Sequence, residues 1–192
     1  MRINEKGGST IKTIDELLDE VAKNLNVSSP VKIPERKKED NIAKKQIVLA
    51  DKLLNIGRIS LNMAKKTAYA AELAAKAVNV KAVISIVNEG ANLIYFSAMD
   101  DSYIASAKIS QDKAYTAAAL KMPTYKALEE SRGGALDGLT NGNGIMLLAG
   151  GEPLFANGRF VGAIGVSGGT KDEDALIAKT AAEVFSNLIR NL

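Results

Sequence analysis

Asn157-Gly158, set between the apolar runs Pro153 to Ala156 and Arg159 to Val166, limits the fold more than any other feature. Both residues tolerate positive φ, as a type I′ turn requires, and that turn joins neighbouring antiparallel strands. A second hairpin is written upstream. Val80 to Val87 reads as a buried strand, Asn88-Glu89-Gly90-Ala91-Asn92 as the turn, and Leu93 to Phe96 as the return strand. Ile145 to Ala149, before Gly150-Gly151, adds a further strand to the second hairpin and makes a meander. The expected class is therefore α+β, an antiparallel sheet of about five strands flanked by helices, and not a doubly wound nucleotide fold.

Helical patterns surround the strands. Asn62 is the expected cap of an Ala-rich core helix from Met63 to Val78, after a short extended Ile59-Ser60-Leu61. A helix from Ile104 ends before Pro123, with Asp101 or Ser102 as its cap, and Tyr125 to Glu130 adds a short one. Thr170 and Glu173 have the capping-box spacing, in which hydroxyl and carboxylate each accept a hydrogen bond from an orphan amide, and they open a last helix from Lys171 to Ile189.

Residues 1–40 differ from 41–192 and are read as an appendage. Ile14, Leu17, Leu18, Val21 and Leu25 line one face of a helix that another capping pattern, Thr13 and Glu16, begins. Two prolines, Pro30 and Pro34, then mark an extended linker. A helix this short needs a surface to dock on, either the protein's own body or a partner. From Ile42 to Leu54 a helical pattern resumes, with Gly57 as its C-cap.

The 192 residues are 46% hydrophobic and 24% charged, enough for a packed core. No Cys, His or Trp is present, which excludes disulfides, thiolate nucleophiles, Ser-His-Asp triads and two-His metal sites. The net charge of +3 comes from interspersed charges, with no aromatic-interleaved basic patch of the nucleic-acid type. Arg36-Lys37-Lys38, bracketed by acids, reads as a solvated linker or an anion-binding patch. No run of 18 apolar residues occurs, so no membrane partner is expected and the cytoplasm is the default compartment.

Four places could carry chemistry. In GAIGVSGGT (162–170) a strand runs into a capped helix, and Gly168, Gly169 and Thr170 could cradle an anion at the positive helix end; the glycines could equally serve a tight turn. Asp100-Asp101 is a carboxylate pair at a strand end, suited to a turn or to a polar ligand contact. Lys113, three residues before Thr116, is the natural partner of a ligand carboxylate or phosphate if its helix face looks into a pocket, and is solvated otherwise. Ser131 to Gly144 holds five glycines in fourteen residues, a long loop of the kind that carries function.

The segments SIVNEGANLIYFSAMDDS, ISQDKAYTAA and GGEPLFANGRFVGAIGVSGGTKDEDALIAKTAAEVF together resemble the GlcG/HbpS haem-binding-like family, which includes the C-terminal domain of PduO, from about residue 59 to 192. The resemblance implies a profilin-like antiparallel sheet, homo-oligomers, and binding of haem or a corrinoid in diol or glycolate metabolism. It offers Thr140, near the Gly-rich loop, as an oxygen ligand. With no imidazole or thiolate, iron would have only oxygen, methionine sulfur, lysine nitrogen or no protein ligand.

Three readings follow. The first is a small-molecule or tetrapyrrole-binding domain with Thr140, Asp100, Lys113, Gly168, Gly169 and Thr170 around the ligand. The second is an accessory or scaffold protein of a bacterial microcompartment, docked to a shell protein through residues 13–25. The third is an enzyme acting on a small hydroxy acid or diol through Lys113 and Asp100.

Overall fold

A computed structural model describes residues 57–140 and 142–190, together with Val48. The amphipathic segment 13–25, the Pro-containing linker and all of the 42–54 pattern but Val48 lie outside the described residues. The elements run α1 (Leu61–Ala77), β1 (Val83–Asn88), β2 (Leu93–Ala98), α2 (Ile104–Leu120), α3 (Thr124–Glu130), β3 (Gly151–Ala156), β4 (Arg159–Ser167) and α4 (Lys171–Arg190). All strand pairs are antiparallel, in the order β2-β1-β4-β3. The class is α+β, as the hairpins dictate.

Among the described residues the sheet has four strands, not about five. Ile145 to Ala149 forms one isolated bridge, Gly142 to Ile145, and is drawn onto α2 instead. There the Thr116 hydroxyl accepts from the Met146 amide at 2.7 Å and contacts the Gly144 carbonyl at 3.3 Å. A short apolar run reads the same whether it joins a sheet or lies across a helix.

Both turns form as expected. Asn157 and Gly158 have φ of 49° and 77°. In the first hairpin the Asn88 side chain accepts from the amides of Gly90 and Asn92, each at 3.0 Å, an Asx-type closure. Two helix starts differ from expectation. Ser60, not Asn62, caps α1 by accepting from the Met63 amide at 3.2 Å. Tyr103 is the N-cap residue of α2 without a side-chain bond, because Asp101 turns into the left-handed region at φ 62°.

Two layers cover the sheet. Helices α1 and α4 pack together over one face, where Ile84, Ile86, Leu154, Ile164, Ile177 and Phe185 are fully or almost fully buried. The alanines of α1 let it approach closely, and Ala64, Ala68, Ala71 and Ala75 are all fully buried. Helix α2 covers the other face against Val87 and Ala163. It lies so near that Gly165 and its cross-strand partner Gly151 cannot carry a Cβ. One at Gly165 would overlap the Ser110 carbonyl oxygen, and one at Gly151 would sit 2.6 Å from that of Lys113.

Two buried acids, Glu152 and Asp174, depart from this apolar pattern. Glu152 of β3, 9% exposed, has its pKa pushed up to about 7, chiefly by burial, with Lys179 opposing and Glu183 reinforcing the shift. Between the unfolded value near 4.5 and about 7 the folded protein keeps a proton that the unfolded chain releases. Stability contributed by this group is therefore full below pH 4.5 and falls as pH rises to 7, by up to about 3 kcal/mol. Urea unfolding at pH 5 and pH 8 should show Glu152→Gln gaining on the native chain at the higher pH. An equal difference at both pH values would refute the shift.

Candidate functional site

Helix α2 brings Ser106, Ser110, Lys113, Ala114 and Ala117 onto its sheet-facing side, so a lysine sits where a helix normally carries an alanine or a leucine. Helix α4 does the same with an acid: Asp174 is followed at i+3, i+4 and i+7 by Ile177, Ala178 and Ala181, along the buried stripe. The two charges meet beside the C-terminal end of β4. Lys113 Nζ donates to Asp174 Oδ2 at 2.6 Å and to the Val166 carbonyl at 2.9 Å, with the two side chains 3% and 5% exposed. Burial lowers the lysine's pKa, against the pull of Asp174, and raises that of Asp174, against the pull of Lys113.

Asp174 also organises the Gly-rich turn. Its Oδ1 accepts from the Gly169 amide at 2.9 Å, while Glu173 accepts from the Thr170 amide at 2.8 Å and the Thr170 hydroxyl from the Glu173 amide at 3.3 Å. The capping box is present as the sequence indicates. The anion cradle expected at Gly168, Gly169 and Thr170 is not open, because the amides of Gly169 and Thr170 serve the chain's own carboxylates.

This ion pair floors a cavity of about 300 Å³ lined by Tyr103, Ala105, Ser106, Ile109, Leu148, Ala149, Ser167, Gly168, Gly169 and Lys171 as well as Lys113 and Asp174. The walls are mainly apolar, the Ser106 and Ser167 hydroxyls bond each other at 3.2 Å, and exposed Lys171 stands beside them. Ile104, 94% exposed, and Tyr103, 73% exposed, extend the apolar surface. A second cavity of about 220 Å³ lies on another side of α2, between Gln111, Asp112, Tyr115, the Val87–Leu93 hairpin and Asn143-Gly144.

Of the residues singled out from sequence, Lys113, Gly168 and Gly169 converge on the larger cavity, with Thr170 next to them. Lys113 is neither solvated nor free for a ligand anion, since Asp174 holds it. Asp100 and Thr140 are exposed, in the turn after β2 and in the long loop, and neither is among the residues lining these cavities. Sequence reasoning missed Asp174, Tyr103, Ile109 and Leu148. For Asp174 the signal was there, an acid on an apolar helical stripe; the others are brought in only by folding. Among the described residues no cluster of three or more acids stands ready for a metal, and no helix is long and apolar enough to cross a membrane.

Comparison with known proteins places these features in a family. Residues 59–183 match the family described as haem degrading protein HbpS-like. An uncharacterised 15.0 kDa protein from the dhaT-dhaS intergenic region of Citrobacter freundii is 43% identical over 72% of this chain and 99% of its own. The corrinoid adenosyltransferase PduO of the same organism is 33% identical, but the match takes in 58% of this chain and only 34% of PduO. A crystal structure of a PduOC–haem complex superposes with a TM-score of 0.62 and 29% identity, covering 66% of this chain and 94% of that one.

Proposed function

The chain belongs to the HbpS-like family, and on that premise we propose that it is a binding domain for a tetrapyrrole, haem or a corrinoid, or for a smaller molecule of similar character. The observation that carries this reading is the 300 Å³ cavity with apolar walls and a lysine at its edge, in a fold shared with a haem-bound relative. Concave, mainly apolar sites with a few polar groups are the usual form of small-molecule sites. Tyr103, Ile109 and Leu148 would hold the flat edge of the macrocycle, and Lys171 would pair with a carboxylate at its rim. Bound haem would supply iron chemistry. The chain offers that iron no imidazole or thiolate, and of the groups at this cavity the Tyr103 phenol is the exposed oxygen donor.

Titration of the full chain with haem should give a saturable Soret band at a fixed stoichiometry. Ile109→Asp, which puts a charge on the apolar wall, should weaken binding by about tenfold or more, as an unpaired desolvated charge costs over 1.4 kcal/mol. Thr140→Ala, outside the lining of this cavity, should leave it unchanged. A spectrum that never departs from free haem would overturn the tetrapyrrole version.

A second reading rests on a separate observation. The Citrobacter freundii relative is matched over 99% of its length, yet 28% of this chain stays outside the match (100 − 72). The amphipathic pattern at residues 13–25 supports a tag that docks an assembly of these domains onto a microcompartment shell protein. A fluorescent reporter fused to residues 1–40 should collect in shells, and a diffuse signal would refute it.

A further inference from the structure

A lysine ordinarily keeps its ammonium in water. Lys113 is 2% exposed, lines a mainly apolar cavity, and has a carboxyl group 2.6 Å from its nitrogen. That carboxyl is itself fixed, since Asp174 Oδ1 accepts from the Gly169 amide at 2.9 Å. Nucleophile, acid–base partner and orienting group therefore stand in sequence, the arrangement that activates amines for covalent chemistry. Gly150, outside the cavity lining, packs closely on the pair, and a Cβ there would lie 3.1 Å from Nζ and 2.6 Å from the Val166 carbonyl oxygen.

We propose that Lys113 condenses with a small aldehyde admitted to this cavity, forming a Schiff base with Asp174 as its acid–base partner. The inference goes beyond the binding reading, since it assigns covalent chemistry to the floor of the cavity and needs no haem. The ammonium of the ion pair first passes a proton to Asp174, and the neutral amine then attacks. The nitrogen lone pair bonds to the carbonyl carbon, and a proton passes from nitrogen to oxygen to give the carbinolamine. Asp174 then protonates the hydroxyl, which leaves as water, and the C=N bond forms as an iminium paired with the Asp174 carboxylate. No oxidant or reductant is consumed. The apolar walls of Ile109, Leu148 and Ala149 favour an aldehyde with a short apolar chain.

Burial of the amine favours its neutral, nucleophilic form, against the pull of Asp174. The full chain, treated with propionaldehyde and cyanoborohydride and mapped by peptide mass, should therefore carry the reduced adduct at Lys113 sooner and to a higher occupancy than at exposed Lys65 or Lys126. Asp174→Asn keeps an acceptor for the Gly169 amide and, where circular dichroism shows it folded, should lose that preference. Labelling of the native chain only at surface lysines, or undiminished Lys113 labelling in folded Asp174→Asn, would overturn the proposal. Haem binding is read by absorbance and adduct formation by mass, so either can fail alone.

Discussion

Gly165→Ala is expected to lower the stability of the fold by about 3 kcal/mol, and Gly165→Val to abolish cooperative unfolding, because overpacking against fixed backbone has no cheap relief. The added Cβ would overlap the Ser110 carbonyl oxygen and lie 2.5 Å from the Ala114 nitrogen, both backbone atoms of α2. The helix could yield only by lifting from the sheet, which would expose Ala114, Ala117, Val87 and Ala163. Gly158→Ala is the matched control. Nothing lies within 4 Å of a Cβ there, so its cost is the positive φ of 77° alone, about 1 kcal/mol. Urea midpoints for the two variants decide the matter, and a Gly165→Ala midpoint at the native value would disprove the close approach of α2.

Lys113→Met should be as damaging, by about 3–5 kcal/mol at neutral pH, because it strands a buried carboxylate. The asymmetry of such pairs supplies the sharper test: removing both charges with a shape-matched pair costs far less than removing one. Lys113→Met combined with Asp174→Asn, in which the amide oxygen still accepts from Gly169, should therefore recover more than half of the loss. Denaturant unfolding of both single variants and the double completes the cycle. Additive losses would mean that the two side chains do not depend on one another. Because the pair joins α2 to the start of α4 beside the end of β4, it also fixes one part of the cavity lining. The same residues would thus serve stability and the proposed imine chemistry.

Local chemistry accounts for what was legible beforehand. The Asn157-Gly158 turn, the Asn88–Asn92 turn and the Thr170/Glu173 capping box are set by side chains within a few residues of the backbone they shape, and all three form. The Ala-rich segment after Ser60 is buried as its composition implies. Ile145 to Ala149 reads as a strand in sequence but lies on α2, because its hydrogen-bonding partner, Thr116, is thirty residues away from Met146. Gly168 and Gly169 read as an anion cradle in sequence, yet Gly165 in the same run answers a different need, the passage of a helix over the strand. An isolated glycine inside a strand pattern carries that meaning as readily as the other.

The sequence alone determined the antiparallel α+β class, both hairpins, the capped terminal helix, and a restricted chemistry without imidazole or thiolate. Each of these follows from residue type and short spacing. Only the tertiary structure decided that Lys113 and Asp174 are one unit, that the amides of Gly169 and Thr170 are already satisfied, and that Asp100 and Thr140 do not line the cavity. Those outcomes depend on which elements pack across the end of β4, and residues 61 positions apart become neighbours there only when both helices have docked on the sheet.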